Sequence, residues 1–165
     1  MTHGYRDYQP FLDLVLEELK NSFGEENILS VALFGSVARG EARPESDIDL
    51  LVVHSGEVSD PTGKFADLRL ILNSSRAYRE LNDRGIRSRI TPIFMSEKEI
   101  WEFPHLLLDI QDHGITLFDR GILQRRLEAL KERLGQLGSR KITLPGGRWY
   151  WDLKPDWKPG EVIEL

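Results

Sequence analysis

Apolar residues recur at three- and four-residue spacing early in the chain. Phe11, Leu12, Val15, Leu16 and Leu19 fall on one face of residues 6–22, which predicts an amphipathic helix stopped at Gly24. The pattern then changes. Ile28-Leu29-Ser30-Val31-Ala32-Leu33-Phe34 is a short apolar run and predicts a buried strand ending at Gly35-Ser36. Residues 36–40 read as a short helical turn, and Glu41 to Ser46 as a loop containing Pro44. Asp47-Ile48-Asp49-Leu50-Leu51-Val52-Val53 predicts a second strand. A connection of about 12 residues lets the two strands lie side by side or antiparallel without a full crossover helix.

A polar loop, His54 to Gly63, comes next, with His54 expected to be exposed. Residues 64–82 read as one helix with Phe65, Leu68, Leu72 and Leu81 on its apolar side, punctuated by Gly85. Ile86 to Met95 predicts a third strand. Pro92 within it cannot donate to a ladder and implies an edge position or an irregularity. Ser96, followed by Glu97 and Glu99, starts a helix at 97–112 that is bent or broken near Pro104. A strand at Ile115–Phe118 and an amphipathic helix at 121–137 follow. Lys141–Leu144 and Arg148–Leu153, either side of Pro145-Gly146-Gly147, predict a hairpin with a Pro- and Trp-rich tail beyond.

These elements predict an α/β protein in the broad sense (α+β), with a mixed, mainly antiparallel sheet of about four or five strands and packed helices. Residues 1–120 are expected to form the main domain. Residues 121–165, comprising a helix, the hairpin and the Trp-rich tail, are expected to pack on the same domain. Three aromatic residues in a row, Trp149, Tyr150 and Trp151, place side chains on both faces of a strand. With Trp157 they suit a core or a subunit interface, so a homodimer through this region is one expectation.

Composition narrows the function. The chain of 165 residues is 40% hydrophobic and 30% charged, the range of a globular protein. It has no cysteine, which excludes disulfides and thiolate–zinc centres. The first residues carry no signal-peptide pattern, and no apolar run reaches the roughly 18 residues of a membrane span. A cytoplasmic protein with no membrane role is therefore expected. The net charge of −5 argues against extended nucleic-acid binding, which draws on a basic surface. The basic residues within Gln124–Arg133 fall at the spacing of a solvated helix face.

The chemistry concentrates between Gly35 and Val53. Gly35 ends a buried strand, and its missing side chain lets a phosphate approach the backbone. N–H groups opening a helical turn favour an anion, and Ser36 adds a hydroxyl donor. Arg39 and Arg43 supply positive charge nearby. Ten residues beyond Ser36, Ser46 leads into Asp47-Ile48-Asp49. Strand geometry puts both carboxylates on one face. Two such charges repel unless a cation neutralises them. A hard divalent ion, Mg²⁺ above all, meets that need through one or two carboxylates plus substrate phosphates.

The stretch Leu33–Val53 resembles the signature of the DNA polymerase beta-like nucleotidyltransferase superfamily, in its minimal nucleotidyltransferase branch. The resemblance implies the nucleotidyltransferase fold. It implies a nucleotide site of Gly35, Ser36, Arg39 and Ser46, with Asp47 and Asp49 as catalytic metal ligands for Mg²⁺. It also implies transfer of a nucleoside monophosphate from a triphosphate, ATP favoured, to a hydroxyl acceptor. A second reading implied by the branch is an antitoxin-like module, weak in catalysis, that neutralises a HEPN-type ribonuclease on a separate chain. The superfamily usually supplies a third carboxylate from a later strand. Here Ile86–Phe94 holds no acid, and Arg89 or a neighbour stands in its place. Slow or partner-dependent transfer is the expectation that follows.

Overall fold

In the computed structural model, residues 2–146 and 148–165 are described. The backbone falls into two compact units, residues 1–123 and 124–165.

The first unit is built on helix α1, Tyr5–Phe23, as the apolar spacing predicts. It buries Tyr8, Phe11, Leu12, Val15, Leu19 and Phe23. Gly24, at φ 85°, ends it in a backbone conformation that other residues rarely adopt. Strand β1, Ile28–Phe34, leads directly into the single turn α2, Gly35–Ala38. Strand β2 is Ile48–His54, β3 is Ile90–Ser96 and β4 is Ile115–Asp119. They form one sheet in the order β3-β2-β1-β4. The pairs β1–β2 and β1–β4 are antiparallel, and β2–β3 is parallel. The mixed, mainly antiparallel sheet expected from the sequence is thus observed, with four strands. β3 lies at its edge, where Pro92 costs no ladder hydrogen bond to an outer neighbour.

Alternation along the strands divides the burial. Ile48, Leu50 and Val52 join Val31, Leu33 and the apolar face of α1 in one core cluster. Leu51 and Val53 point the other way and are also fully buried. Helix α6, His105–His113, lies against β1 and buries Leu107, Leu108 and Ile110 outside the first cluster. The sheet is therefore covered on both faces, which suits the near-continuous apolar run of β2.

The sequence reading needs three corrections. The helix at 64–82 is two helices, α3 (Pro61–Ser74) and α4 (Arg76–Asp83). Ser75 is extended between them, and its hydroxyl accepts the Tyr78 N–H, capping the second helix. The break expected near Pro104 is observed, and it divides the segment into α5 (Glu99–Glu102) and α6 at Phe103-Pro104. β3 starts at Ile90 instead of Ile86. The Arg87 N–H is spent on the Pro44 carbonyl in the preceding loop, at 2.7 Å. His54 is buried rather than exposed, because it continues β2 and its Nδ1 meets the Ser55 carbonyl at 2.7 Å.

Helix α7, Ile122–Gln136, begins at the end of the first unit. Asp119 accepts hydrogen bonds from the N–H groups of Gly121 and Leu123 and from the Ser30 hydroxyl. The second unit holds the rest of α7 and an antiparallel hairpin of β5 (Arg140–Thr143) and β6 (Trp149–Asp152). Arg126 and Arg133 donate to the carbonyls of Leu165 and Glu164, so the tail folds back on α7. Within the hairpin, Lys141 sits 4.2 Å from the ring centroid of Trp149. Tyr150 is exposed, while Trp149 and Trp151 are partly covered, as alternation requires. Among the described residues no helix is long and apolar enough to cross a membrane.

Candidate active site

Antiparallel pairing places the end of β1 beside the start of β2. Phe34 pairs with Asp49. Gly35 follows with φ +70°, and a β-carbon built there would lie 2.3 Å from Asp49 Oδ2. Both the dihedral and the contact require glycine. The carboxylate of Asp49 is thus set directly against the Gly35 backbone. Asp47 and Asp49 share a face by alternation, and that face is the one that α6 covers. Asp47 is exposed and Asp49 half-buried.

The loop between turn and strand is pinned on both sides. His3 and Ala42 exchange backbone hydrogen bonds of 2.8 and 3.1 Å. The Arg43 N–H donates to the Ser46 hydroxyl at 2.8 Å, and the Ser46 N–H to the Arg43 carbonyl at 3.0 Å. The Ile48 N–H donates to the Arg89 carbonyl at 2.7 Å. Ser46 therefore closes the loop that delivers Asp47.

One residue of the site escaped the sequence reading. Asp109, on α6, accepts from the Gly35 N–H at 3.3 Å and from Arg39 at 3.2 and 3.4 Å. Arg39 also pairs with Glu41 at 3.1 Å. The strand expected to carry a third acid has none: register sets Thr91 beside Asp49, and Arg89 leads directly into that pairing. The third carboxylate of the neighbourhood comes from a helix on the covering layer. Its sequence signal, an aspartate within Leu106–His113, is that of any amphipathic helix, so nothing local marks it.

The charges interact. Burial lifts the Asp49 carboxyl above the usual carboxylate range, the negative charges of Asp47 and Asp109 raise it further, and Arg39 opposes them. A carboxylate held at unfavourable charge in this way fits a cation. Among the described residues no three acidic or histidine side chains converge closely enough to hold a metal alone. The donor set suits a divalent ion completed by ligand phosphates, as hard oxygen-liganded Mg²⁺ prefers. His54 stands at the opposite end of β2, paired with Ile28, and takes no part.

A model of the nucleotidyltransferase domain family matches residues 13–133. The chain belongs to that family. The match runs from α1 through most of α7 and includes the turn, the loop and all four strands of the sheet. A curated relative, "Putative protein adenylyltransferase MJ1305" of Methanocaldococcus jannaschii, is 50% identical over 42 residues, 26% of this chain and 28% of its own length. Among solved structures, a complex of the tri-AMPylated HEPN toxin of Shewanella oneidensis with its MNT antitoxin has 13% identity and a TM-score of 0.43, covering 79% of this chain and 92% of the other. A toxin–antitoxin structure with AMP-PNP has 14% identity and a TM-score of 0.43, covering 75% and 90%. Likeness at these scores is too slight to bear on function.

Proposed function

We propose that this nucleotidyltransferase domain binds ATP with Mg²⁺ and transfers the adenylyl group to a hydroxyl acceptor. The observation that carries the reading is the placement of Asp49 against Gly35, with Asp47 beside it on the same strand face. Family membership fixes the reaction class, and the name of the M. jannaschii relative supports adenylyl transfer in particular.

Gly35 and Ser36 receive the phosphates, through the Gly35 N–H and the Ser36 hydroxyl. Arg39 supplies the charge, held in place by Glu41 and Asp109. Ser46 fixes the loop. Asp47 and Asp49 are the residues that hold the metal, which when bound offsets phosphate charge and lowers the barrier to attack. The acceptor oxygen forms a bond to the α-phosphorus. The bond to the bridging oxygen breaks, pyrophosphate leaves with the electron pair, and the hydroxyl proton passes to water.

Calorimetry with ATP tests the donor site. Wild type should bind only with Mg²⁺ present, and Asp49→Asn should weaken binding by at least about tenfold, the scale of a charge-assisted contact. Equal affinities would sink the assignment. A module that merely neutralises a HEPN-type partner would bind ATP equally well. Release of labelled pyrophosphate in the presence of that partner separates the two roles.

A further inference from the structure

Two of the groups that the proposed function gives to phosphate already have an anionic partner. Asp109 of α6 accepts from the Gly35 N–H at 3.3 Å and from the Arg39 guanidinium at 3.2 and 3.4 Å. These contacts are long. A good charge-assisted N–H···O bond is about 2.7–2.9 Å, so Asp109 engages both donors without saturating either. Arg39 does not need it as a counter-ion, because Glu41 meets the guanidinium Nε at 3.1 Å. Nor does α6 need it for docking, since Leu107, Leu108 and Ile110 seat that helix by burial.

The Asp109 side chain is 24% exposed, which gives it room to turn away when another anion takes its donors. The helix nevertheless keeps it beside the turn. A carboxylate fixed in this way is present whatever the concentration of free anion, and it acts as an intramolecular competitor. Substrate and product meet that competitor differently. ATP is anchored by its adenosine as well as by its phosphates and metal, and it tolerates some loss of phosphate affinity. Once the adenylyl group has passed to the acceptor, pyrophosphate keeps the phosphate and metal contacts alone. A turn that gripped pyrophosphate as tightly as its donors permit would retain the product and favour the reverse reaction.

We infer that Asp109 clears the leaving group: it retakes the Gly35 N–H and the Arg39 guanidinium as pyrophosphate departs, and so keeps the product weakly bound. It makes and breaks no bond to phosphorus. Its part is to exchange one anion for another on the same two donors. This explains a carboxylate, rather than a neutral acceptor, at a turn whose partner is to be a phosphate. The inference rests on the donor-site reading, which places the leaving phosphates at Gly35 and Arg39.

The test titrates the full chain with magnesium pyrophosphate at constant ionic strength. Calorimetry gives the affinity, and the line shape of the Gly35 amide signal gives the dissociation rate. Asp109→Asn keeps the size and removes the charge. It is expected to bind pyrophosphate about three- to tenfold more tightly, chiefly through slower dissociation. Asp109→Glu keeps the charge and should stay closer to wild type than the asparagine variant does. Asp112→Asn removes the same charge from the same helix but not from these donors, and should stay within about twofold of wild type. Unchanged or weaker pyrophosphate binding in Asp109→Asn would overturn the inference. So would an equal gain in Asp112→Asn, or a gain carried wholly by faster association. A Gly35 amide that pyrophosphate leaves unmoved in every variant counts against the donor site itself, and the inference falls with it.

Discussion

Asp109 occupies the Gly35 N–H and one side of the Arg39 guanidinium, two groups that the proposed function gives to phosphate. An anionic ligand and this carboxylate therefore compete for the same donors. Asp109→Asn keeps the size and removes the charge. It is expected to tighten MgATP binding severalfold, since one like charge near a partly exposed site is worth about 1 kcal/mol or a little more. Calorimetry decides, and a loss of affinity would make Asp109 a metal ligand instead. Asp49 gives a second prediction. Its carboxyl titrates above the ordinary range in the folded protein. Its stabilising neutral form is fully present below the unfolded value and is lost as pH rises through the folded one. At neutral pH the ionised form strains the fold. Asp49→Asn should then raise the melting temperature at pH 7 in the absence of metal, with the gain shrinking as pH falls below the ordinary aspartate range. A pH series of thermal melts reads it. The variant that loses the ligand is the one that gains stability.

Elements that repeat a simple period were the legible ones. α1, β1 and β2 follow from apolar spacing alone, and Gly35, Asp47 and Asp49 from the turn and strand parity that those elements set. The breaks were harder. Ser75 divides a run whose apolar spacing continues across the gap, and only its cap marks the division, whereas Pro104 announces its break through the donor it lacks. Long-range pairing was harder still. Asp109 meets Gly35 across 74 residues of chain, and Arg89 meets the site through a parallel register that no local pattern encodes. Edge strand β3 is held by aromatic packing as well as by its ladder to β2. Phe94 stacks on Phe23 of α1 at 5.6 Å and tilts against Phe65 of α3. Phe65 is 1% exposed, so Phe65→Ala should cost about 3–5 kcal/mol in chemical denaturation. A cost under about 1 kcal/mol would show that β3 is held by other means.

At the scale of the molecule, the two units carry separate stabilising contacts. The first has its own core and all the donor-site residues. The second is closed by the hairpin and by the arginine contacts to the chain end. A chain ended after residue 140 loses that closure and should lose helical signal from α7. MgATP affinity should stay within about threefold of the full chain, a difference under 1 kcal/mol. Calorimetry and circular dichroism on the shortened chain check both statements, and lost nucleotide binding would tie the second unit to the site. The parallel pairing of β2 with β3 reaches further. It forces the chain to leave the sheet at His54 and return at Ile90, and that excursion supplies Thr62, Phe65, Arg69 and Arg89. The groups proposed to handle the nucleotide lie almost wholly between Gly35 and Asp49. The proposed donor chemistry is thus written in one short stretch of the gene. An exchange of the segment 55–89 between relatives would leave that stretch, and the nucleotide chemistry proposed for it, intact.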